Sequence, residues 1–254
     1  MYLIGIINSA IMKTLVIIPS RLGATRLPGK PLLKINNSSI ISHVFKRAQE
    51  ANIGDVVVAT ENVEIVDDVT MHGGRAILTS NNHKTGTDRI YEAFKKMNFK
   101  DVDLIMNIQG DEPAINIDDI KSLNDKMINY RSKMGTLAAK IVNEKDFQNE
   151  NIVKVKTKSD LQDHSFSEAE AFSRLSEKLD NVYHHIGIYC YSAETLEKFV
   201  ELNQTKNEIE QKLEQLRAID NSIKINVSLA KSPPIGVDTE EDYMALKKIM
   251  EYKD

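Results

Sequence analysis

Apolar and polar positions in the first hundred residues alternate between two periods. Residues 14–18 (TLVII) form a continuous apolar run, the pattern of a strand buried on both faces. Residues 38–51 then place Ile40, Ile41, Val44, Phe45 and Ala48 at helical spacing. Residues 55–60 (DVVVAT) read as a second buried strand, and residues 63–72 as a short helix stopped by Gly73 and Gly74. Residues 75–79 read as a third strand, 87–97 as a helix and 102–108 as a fourth strand. This rhythm predicts an α/β fold with right-handed crossovers and a mostly parallel sheet.

The second half is less regular. Residues 136–142, 152–157, 181–191 and 224–229 read as strands, and 194–202, 207–219 and 240–252 as helices. The polar stretch 158–170 reads as a surface loop. With no repeat, low-complexity segment or linker, the economical organisation is one domain over residues 12–254 with an inserted β-rich lobe near 130–220. Met12 reads as the natural start, because the first strand begins just after it, and residues 1–11 as an upstream extension.

Composition narrows the function classes. The chain has 254 residues, 41% hydrophobic and 28% charged, which suits a folded domain with a sizeable core. A formal charge of −4 argues against a general nucleic-acid binder but leaves room for a local basic site. The single cysteine, Cys190, excludes an intrachain disulfide framework and reads as a small buried hydrophobe. No apolar run approaches the ~20 residues of a membrane span. The apolar start lacks a preceding basic residue and makes a poor signal peptide, so the expected compartment is the cytoplasm.

Chemistry concentrates at the carboxyl ends of the strands, where open parallel sheets bind ligands. Residues 20–31 (SRLGATRLPGKP) gather Arg21, Arg26 and Lys30 with two glycines. Glycines let backbone amides approach an anion, and arginine adds forked hydrogen bonds to phosphate oxygens. Pro31 follows Lys30 where a Walker loop needs Ser or Thr, and GxGxxG is absent. The loop is therefore either an unusual phosphate grip or a basic surface turn. Asp111, in QGDEP after the fourth strand, would share its sheet edge. A carboxylate beside a triphosphate calls for a bridging hard cation such as magnesium. Asp238, before the last helix, reads equally as a second metal ligand or a helix N-cap. Glu112 is expected to face solvent. The segment HKTGTDR (residues 83–89) opens a helix, as an anion or ribose site or simply as a capped terminus. Strand alternation sends His185 and Tyr189 to one face and His184 to the other, so the adjacent histidines are no metal pair.

Taken together, these segments resemble the 3-deoxy-manno-octulosonate (Kdo) cytidylyltransferases, or CMP-Kdo synthetases. PSRLGATRLPGKPL (residues 19–32), KTGTDR (84–89), NIQGDEP (107–113), HIGIYCY (185–191), LEQLR (213–217) and GVDTEED (236–242) follow in that family's order. The resemblance implies a Rossmann-like sheet flanked by helices, of the nucleotide-diphospho-sugar transferase type, with the inserted lobe serving dimerisation. It implies CMP transfer from CTP to Kdo for lipopolysaccharide synthesis, with Mg2+ as cofactor, in a homodimer with no nucleic-acid or membrane partner. Arg21, Thr25, Arg26, Lys30, Thr87, Arg89 and Gln109 would bind CTP, with Lys30, Arg21 and Asp111 catalytic. Asp111 and Asp238 would hold the metal. Arg174, His185, Tyr189, Glu214 and Gln215 would hold the sugar acid. Another sugar acid, such as a sialic acid or an 8-amino Kdo analogue, and a non-catalytic nucleotide-binding module are the competing expectations. Departures cluster in the sugar-acid lobe: residues 175–181 lack the family's Trp and Pro, the 158–170 loop is longer, Gln211 replaces a frequent Glu, and Glu150 interrupts an Asn-Pro-Asn pattern.

Overall fold

The computed structural model describes residues 12–23, 26–99, 101–233 and 235–251, so the expected upstream extension lies outside it. The chain opens with β1 (Thr14–Ser20) and a 3-10 turn (Lys30–Leu32), then a small ribbon of β2 (Lys34–Ile35) and β3 (Ser38–Ser39). Ser39 caps α1 (Ile40–Glu50), its hydroxyl accepting from the Ser42 amide. β4 (Gly54–Thr60), α2 (Val63–Met71), β5 (Ala76–Leu78), α3 (Gly86–Met97) and β6 (Leu104–Asn107) continue the alternation expected from periodicity. There follow α4 (Ile117–Tyr130), β7 (Met134–Ala139), β8 (Lys154–Thr157), β9 (Ser167–Ser173) and β10 (Val182–Ser192). The chain closes with α5 (Ala193–Glu201), α6 (Lys206–Gln211), α7 (Leu216–Asp220), β11 (Asn226–Leu229) and α8 (Glu240–Glu251).

Nine strands make one sheet in the order β5-β4-β1-β6-β10-β7-β11-β9-β8. The apolar run of β1 explains its layering. Val16 and Ile18 pack with Ile41 and Val44 of α1, Val69 of α2 and Leu123 of α4. Leu15 and Ile17 face the other way, onto Ile90 of α3 and Leu196 and Phe199 of α5. Each such fully buried aliphatic side chain contributes about 1.5–3 kcal/mol of transfer free energy, which fixes β1 centrally and leaves its carboxyl end free for polar work.

The sheet is mixed rather than mostly parallel. β5, β4, β1 and β6 are parallel neighbours, but β10 inserts antiparallel between β6 and β7. Beyond β6 the pairings β10–β7, β7–β11, β11–β9, β9–β8 and β8–β10 close a ring of five strands. Short connections between β8, β9 and β10 favour antiparallel pairing, since a parallel pair needs a crossover. Other differences are local. The expected loop 158–170 gives way to β9 from Ser167, where buried Ser167 and Ala169 alternate with a more exposed position before a local irregularity, beyond which Phe172 is buried again. The expected helix 207–219 is two helices, broken at Lys212 with φ 53°. β7 ends at Ala139, and Val142, expected within that strand, is 93% exposed. The sequence reading passed over α4, although Asn116 caps it and Ile117, Ile120, Leu123 and Met127 carry helical spacing.

Candidate functional site

β1 delivers the chain into a tight loop at its carboxyl end. Gly29 has φ 70°, a left-handed conformation that favours glycine, and it opens the turn that carries Lys30. Gly110, after β6, packs so closely that a Cβ there would lie 2.8 Å from the Pro19 carbonyl oxygen. A glycine at that position brings Asp111 against the end of β1. The Val237 amide donates to the Asp111 carbonyl at 3.0 Å, which ties the segment before α8 to the same place.

The charges then meet. Lys30 Nζ donates to Asp111 Oδ2 at 2.8 Å, to the Val237 carbonyl at 2.6 Å and to Asp238 Oδ1 at 3.2 Å. Arg26 donates to the other Asp238 oxygen at 3.1 Å. Asp238 does not cap α8 with its side chain. Thr239 and Asp242 do that: the Thr239 hydroxyl accepts from the Asp242 amide, and the Asp242 carboxylate accepts from the amides of Asp238 and Thr239. The Asp238 carboxylate is thereby left to face cations.

Arg21, Lys30, Arg89, Gln109 and Asp111 line one cleft of about 330 Å3, with Thr85 and His83. Thr85 caps α3 through a capping box with Asp88, presenting the start of that helix to the cleft. Arg89 is buried, with its guanidinium engaged by Glu61, by the Thr79 hydroxyl at 2.6 Å and by the Ser80 carbonyl at 3.2 Å. It buttresses the 79–83 loop from behind. Gln109 Nε2 donates to the Gly187 carbonyl at 2.8 Å, joining the cleft to β10. Thr25 lies outside the described residues.

Two features escaped the sequence reading. His83 was seen only as part of a helix opening, yet it is a cleft wall whose Nε2 donates to Glu92. Burial opposes the charge on Glu92, but hydrogen bonds from Lys96, His83 and the Ser80 amide outweigh it and hold the carboxyl down to about 2. Glu112, expected to face solvent, is only partly exposed. Its Oε2 is buried with no hydrogen-bond partner among the described residues, and burial, then the Asp111 charge, push its pKa up to about 8. The QGDEP sequence carries no signal for this, because burial depends on what packs over the turn.

The sugar-acid candidates stand differently. His185 Nε2 lies 3.1 Å from Thr136 Oγ1 and 3.0 Å from the Tyr189 hydroxyl, inside the strand ring. Phe172 meets the His185 ring edge-on at 5.0 Å. Burial pushes His185 down to about 3 and Tyr189 well up, so both stay neutral at physiological pH. Glu214 accepts from the Thr87 hydroxyl at 2.9 Å, and burial raises its pKa. Thr87 is thus buried against Glu214 and is absent from the cleft lining, whereas its expected role was CTP binding. Gln215 is buried at the start of α7. Arg174 donates to the backbone carbonyls of Gln211, Glu150 and Lys212 at 2.8, 3.0 and 3.2 Å. Two of the departures from the family pattern, Glu150 and Gln211, therefore contribute here through backbone oxygen, which any residue supplies. Beside Arg174, the fully buried Lys154 donates to the carbonyls of Asn149 and Arg174 at 2.8 and 2.7 Å.

Among the described residues, no group of three or more His, Cys, Asp or Glu side chains is arranged to hold a metal, and no helix is long and apolar enough to cross a membrane. Asp111 and Asp238 do converge on one ammonium, so the two carboxylates suit a small hard cation whose remaining ligands are phosphate and water oxygens.

Residues 15–225 match a family model described as Cytidylyltransferase. A relative from Rhodopseudomonas palustris (strain BisB18), named 3-deoxy-manno-octulosonate cytidylyltransferase, is 42% identical over 241 residues, covering 94% of this chain and 98% of its own. One of the same name from Thermodesulfovibrio yellowstonii is 41% identical over 251 residues, covering 94% and 98%. A solved CMP:2-keto-3-deoxy-manno-octonic acid synthetase complexed with CTP superposes with TM-score 0.87 at 31% identity, covering 95% of this chain and 100% of that one.

Proposed function

The chain belongs to the cytidylyltransferase family, and from that premise we propose that it transfers CMP from CTP to Kdo, releasing pyrophosphate. The observation that carries the reading is the convergence of Lys30, Asp111 and Asp238 at the mouth of the strand-end cleft, in a chain more than 40% identical to enzymes of that name.

The cleft residues divide the work. The anomeric hydroxyl oxygen of Kdo attacks the α-phosphorus of CTP, and the bond to the pyrophosphate oxygen breaks. Lys30, Arg21 and Arg26 hold the triphosphate and neutralise charge that develops on its oxygens. Gln109, Thr85 and Gly86 lie along the nucleoside, with Arg89 fixing the loop behind it. Asp111 and Asp238 would hold magnesium, which when bound supplies Lewis-acid stabilisation to the phosphoryl oxygens. Arg174, His185, Tyr189, Glu214 and Gln215 shape the acceptor side. Neutral His185 and Tyr189 offer hydrogen bonds without charge, which suits sugar hydroxyls, while Arg174 supplies positive charge for the carboxylate. The reaction needs no covalent enzyme intermediate.

The reading also includes a homodimer built on the five-stranded ring. Val142, Leu175 and Leu179 are large apolar side chains exposed near that lobe. Light scattering on the purified protein should give twice the chain mass of 28.7 kDa. Because the reaction consumes CTP, the cytoplasm is its expected compartment.

The decisive experiment incubates the protein with CTP, magnesium and a panel of sugar acids, following pyrophosphate and the nucleotide sugar. Kdo should give CMP-Kdo. Turnover of another acid with none of Kdo would overturn the acceptor and keep the reaction class. Release of no pyrophosphate with any acid would leave a nucleotide-binding module.

A further inference from the structure

The cations and carboxylates of the cleft are matched one to another. Lys30 has three ammonium protons and three acceptors: Asp111 Oδ2, Asp238 Oδ1 and the Val237 carbonyl. Both Asp238 oxygens are engaged, one by Lys30 and one by Arg26. The side chain of Lys30 is only 12% exposed, so its charge is poorly screened by solvent. These contacts are incompatible with the roles assigned above. Lys30 cannot hold a phosphate while all its protons are committed, and a divalent cation cannot approach both carboxylates through an ammonium that sits against each.

We infer that Lys30, assisted by Arg26, makes this site selective for the metal–triphosphate complex over the free metal, by guarding Asp111 and Asp238 until a triphosphate draws the two cations away. The inference rests on the proposed metal role of Asp111 and Asp238. Loading is an exchange of partners. The ammonium and guanidinium move from carboxylate to phosphate oxygen, and the carboxylates move from those cations to the metal. Two positive and two negative side chains exchange into a site that receives a cation and a polyanion together, so each displaced side chain finds an opposite charge. A metal arriving alone must expel a cation that has no new partner. That opposition is electrostatic, so it scales with the Lys30 charge.

The test is manganese binding without nucleotide, followed by the loss of the free-ion electron paramagnetic resonance signal. The proteins compared are wild type, Lys30→Met, Lys30→Arg and Arg26→Gln, each checked for an unchanged thermal transition. Removing the Lys30 charge should tighten manganese binding about tenfold, and removing the exposed Arg26 charge about twofold. Lys30→Arg, which keeps the charge, should stay near wild type. Equal or weaker manganese binding by Lys30→Met overturns the inference. Adding Asp111→Asn or Asp238→Asn to Lys30→Met separates the two levels. If either addition weakens manganese binding, the metal assignment stands, and only the Lys30 comparison decides the selectivity role. If neither does, the metal assignment itself fails. Should Lys30→Met unfold, Arg26→Gln supplies the decision: no gain in manganese affinity there overturns the inference.

Discussion

The strand-end cleft and the five-stranded ring hold their polar groups by opposite means. In the cleft, the largely buried Lys30 meets the partly exposed Arg26, Asp111 and Asp238, ions whose partners can be exchanged. In the ring, His185, Tyr189 and Thr136 are buried, and desolvation keeps His185 and Tyr189 neutral. Ionic contacts near solvent are individually weak and rearrange at little cost, which suits groups that must take up and release a polyanion. Buried neutral hydrogen bonds are costly to break, which suits the rigid wall proposed for the acceptor side. Substitutions should therefore damage chemistry in the first region and stability or acceptor binding in the second.

The largest effect should fall in the cleft. Asp111→Asn keeps the shape of the side chain and removes its charge. We expect kcat/KM to fall about 1000-fold, with a nearly unchanged melting transition. Near-normal CMP-Kdo formation would remove Asp111 from the metal site. Next in size is the buried pair behind the ring. Arg217 donates to both oxygens of Glu208, at 2.9 and 2.5 Å, with both side chains almost fully buried. Arg217→Met should cost about 3–5 kcal/mol in denaturant unfolding, because it strands a buried carboxylate. A loss under 1 kcal/mol would show that the pair is dispensable to the fold.

Lys154→Met sharpens the contrast within the proposed acceptor side. Lys154 fixes the carbonyl of Arg174, and burial lowers its pKa. The variant should raise KM for Kdo about tenfold and leave KM for CTP unchanged, with Lys154→Arg recovering part of the loss. An equal rise in both constants would mean general loosening.

A smaller effect concerns pH. The folded-state pKa of His185, about 3, lies below the ordinary 6.5, so between these values the unfolded chain binds a proton that the folded chain does not. Stability contributed by neutral His185 is complete above pH 6.5 and declines as pH falls toward 3, by at most about 1.4 kcal/mol per unit. Unfolding curves from pH 7 to 4.5 should be less steep in pH for His185→Gln than for wild type. Parallel curves would contradict the burial of this imidazole. Smallest of all, Arg26→Gln should raise KM for CTP only about threefold, since that side chain is well exposed. A hundredfold rise would make Arg26, rather than Lys30, the main grip.

Legibility differed between the regions for the same physical reason. Strand and helix periods in residues 14–108 are local, and the structure reproduces them within a residue or two. Loop 20–31 announced its cations by composition. Pairing in the ring joins β11 to β7 and β9 across long separations, and its strands are short enough to read as loop, as residues 167–170 did. The broken helix at Lys212 likewise followed from a backbone conformation that no composition rule signals.

The sequence by itself determined the alternating strands and helices, the basic loop, and six motifs in a family's order, because each depends on neighbours in the chain. Only the tertiary structure decided which charges meet. Lys30 finds Asp111 across 81 positions and Asp238 across 208, Thr239 rather than Asp238 caps α8, and Glu112 turns one carboxylate oxygen away from solvent. Charge pairing and desolvation are properties of the space that distant segments enclose, and that space exists only once the sheet has brought them together.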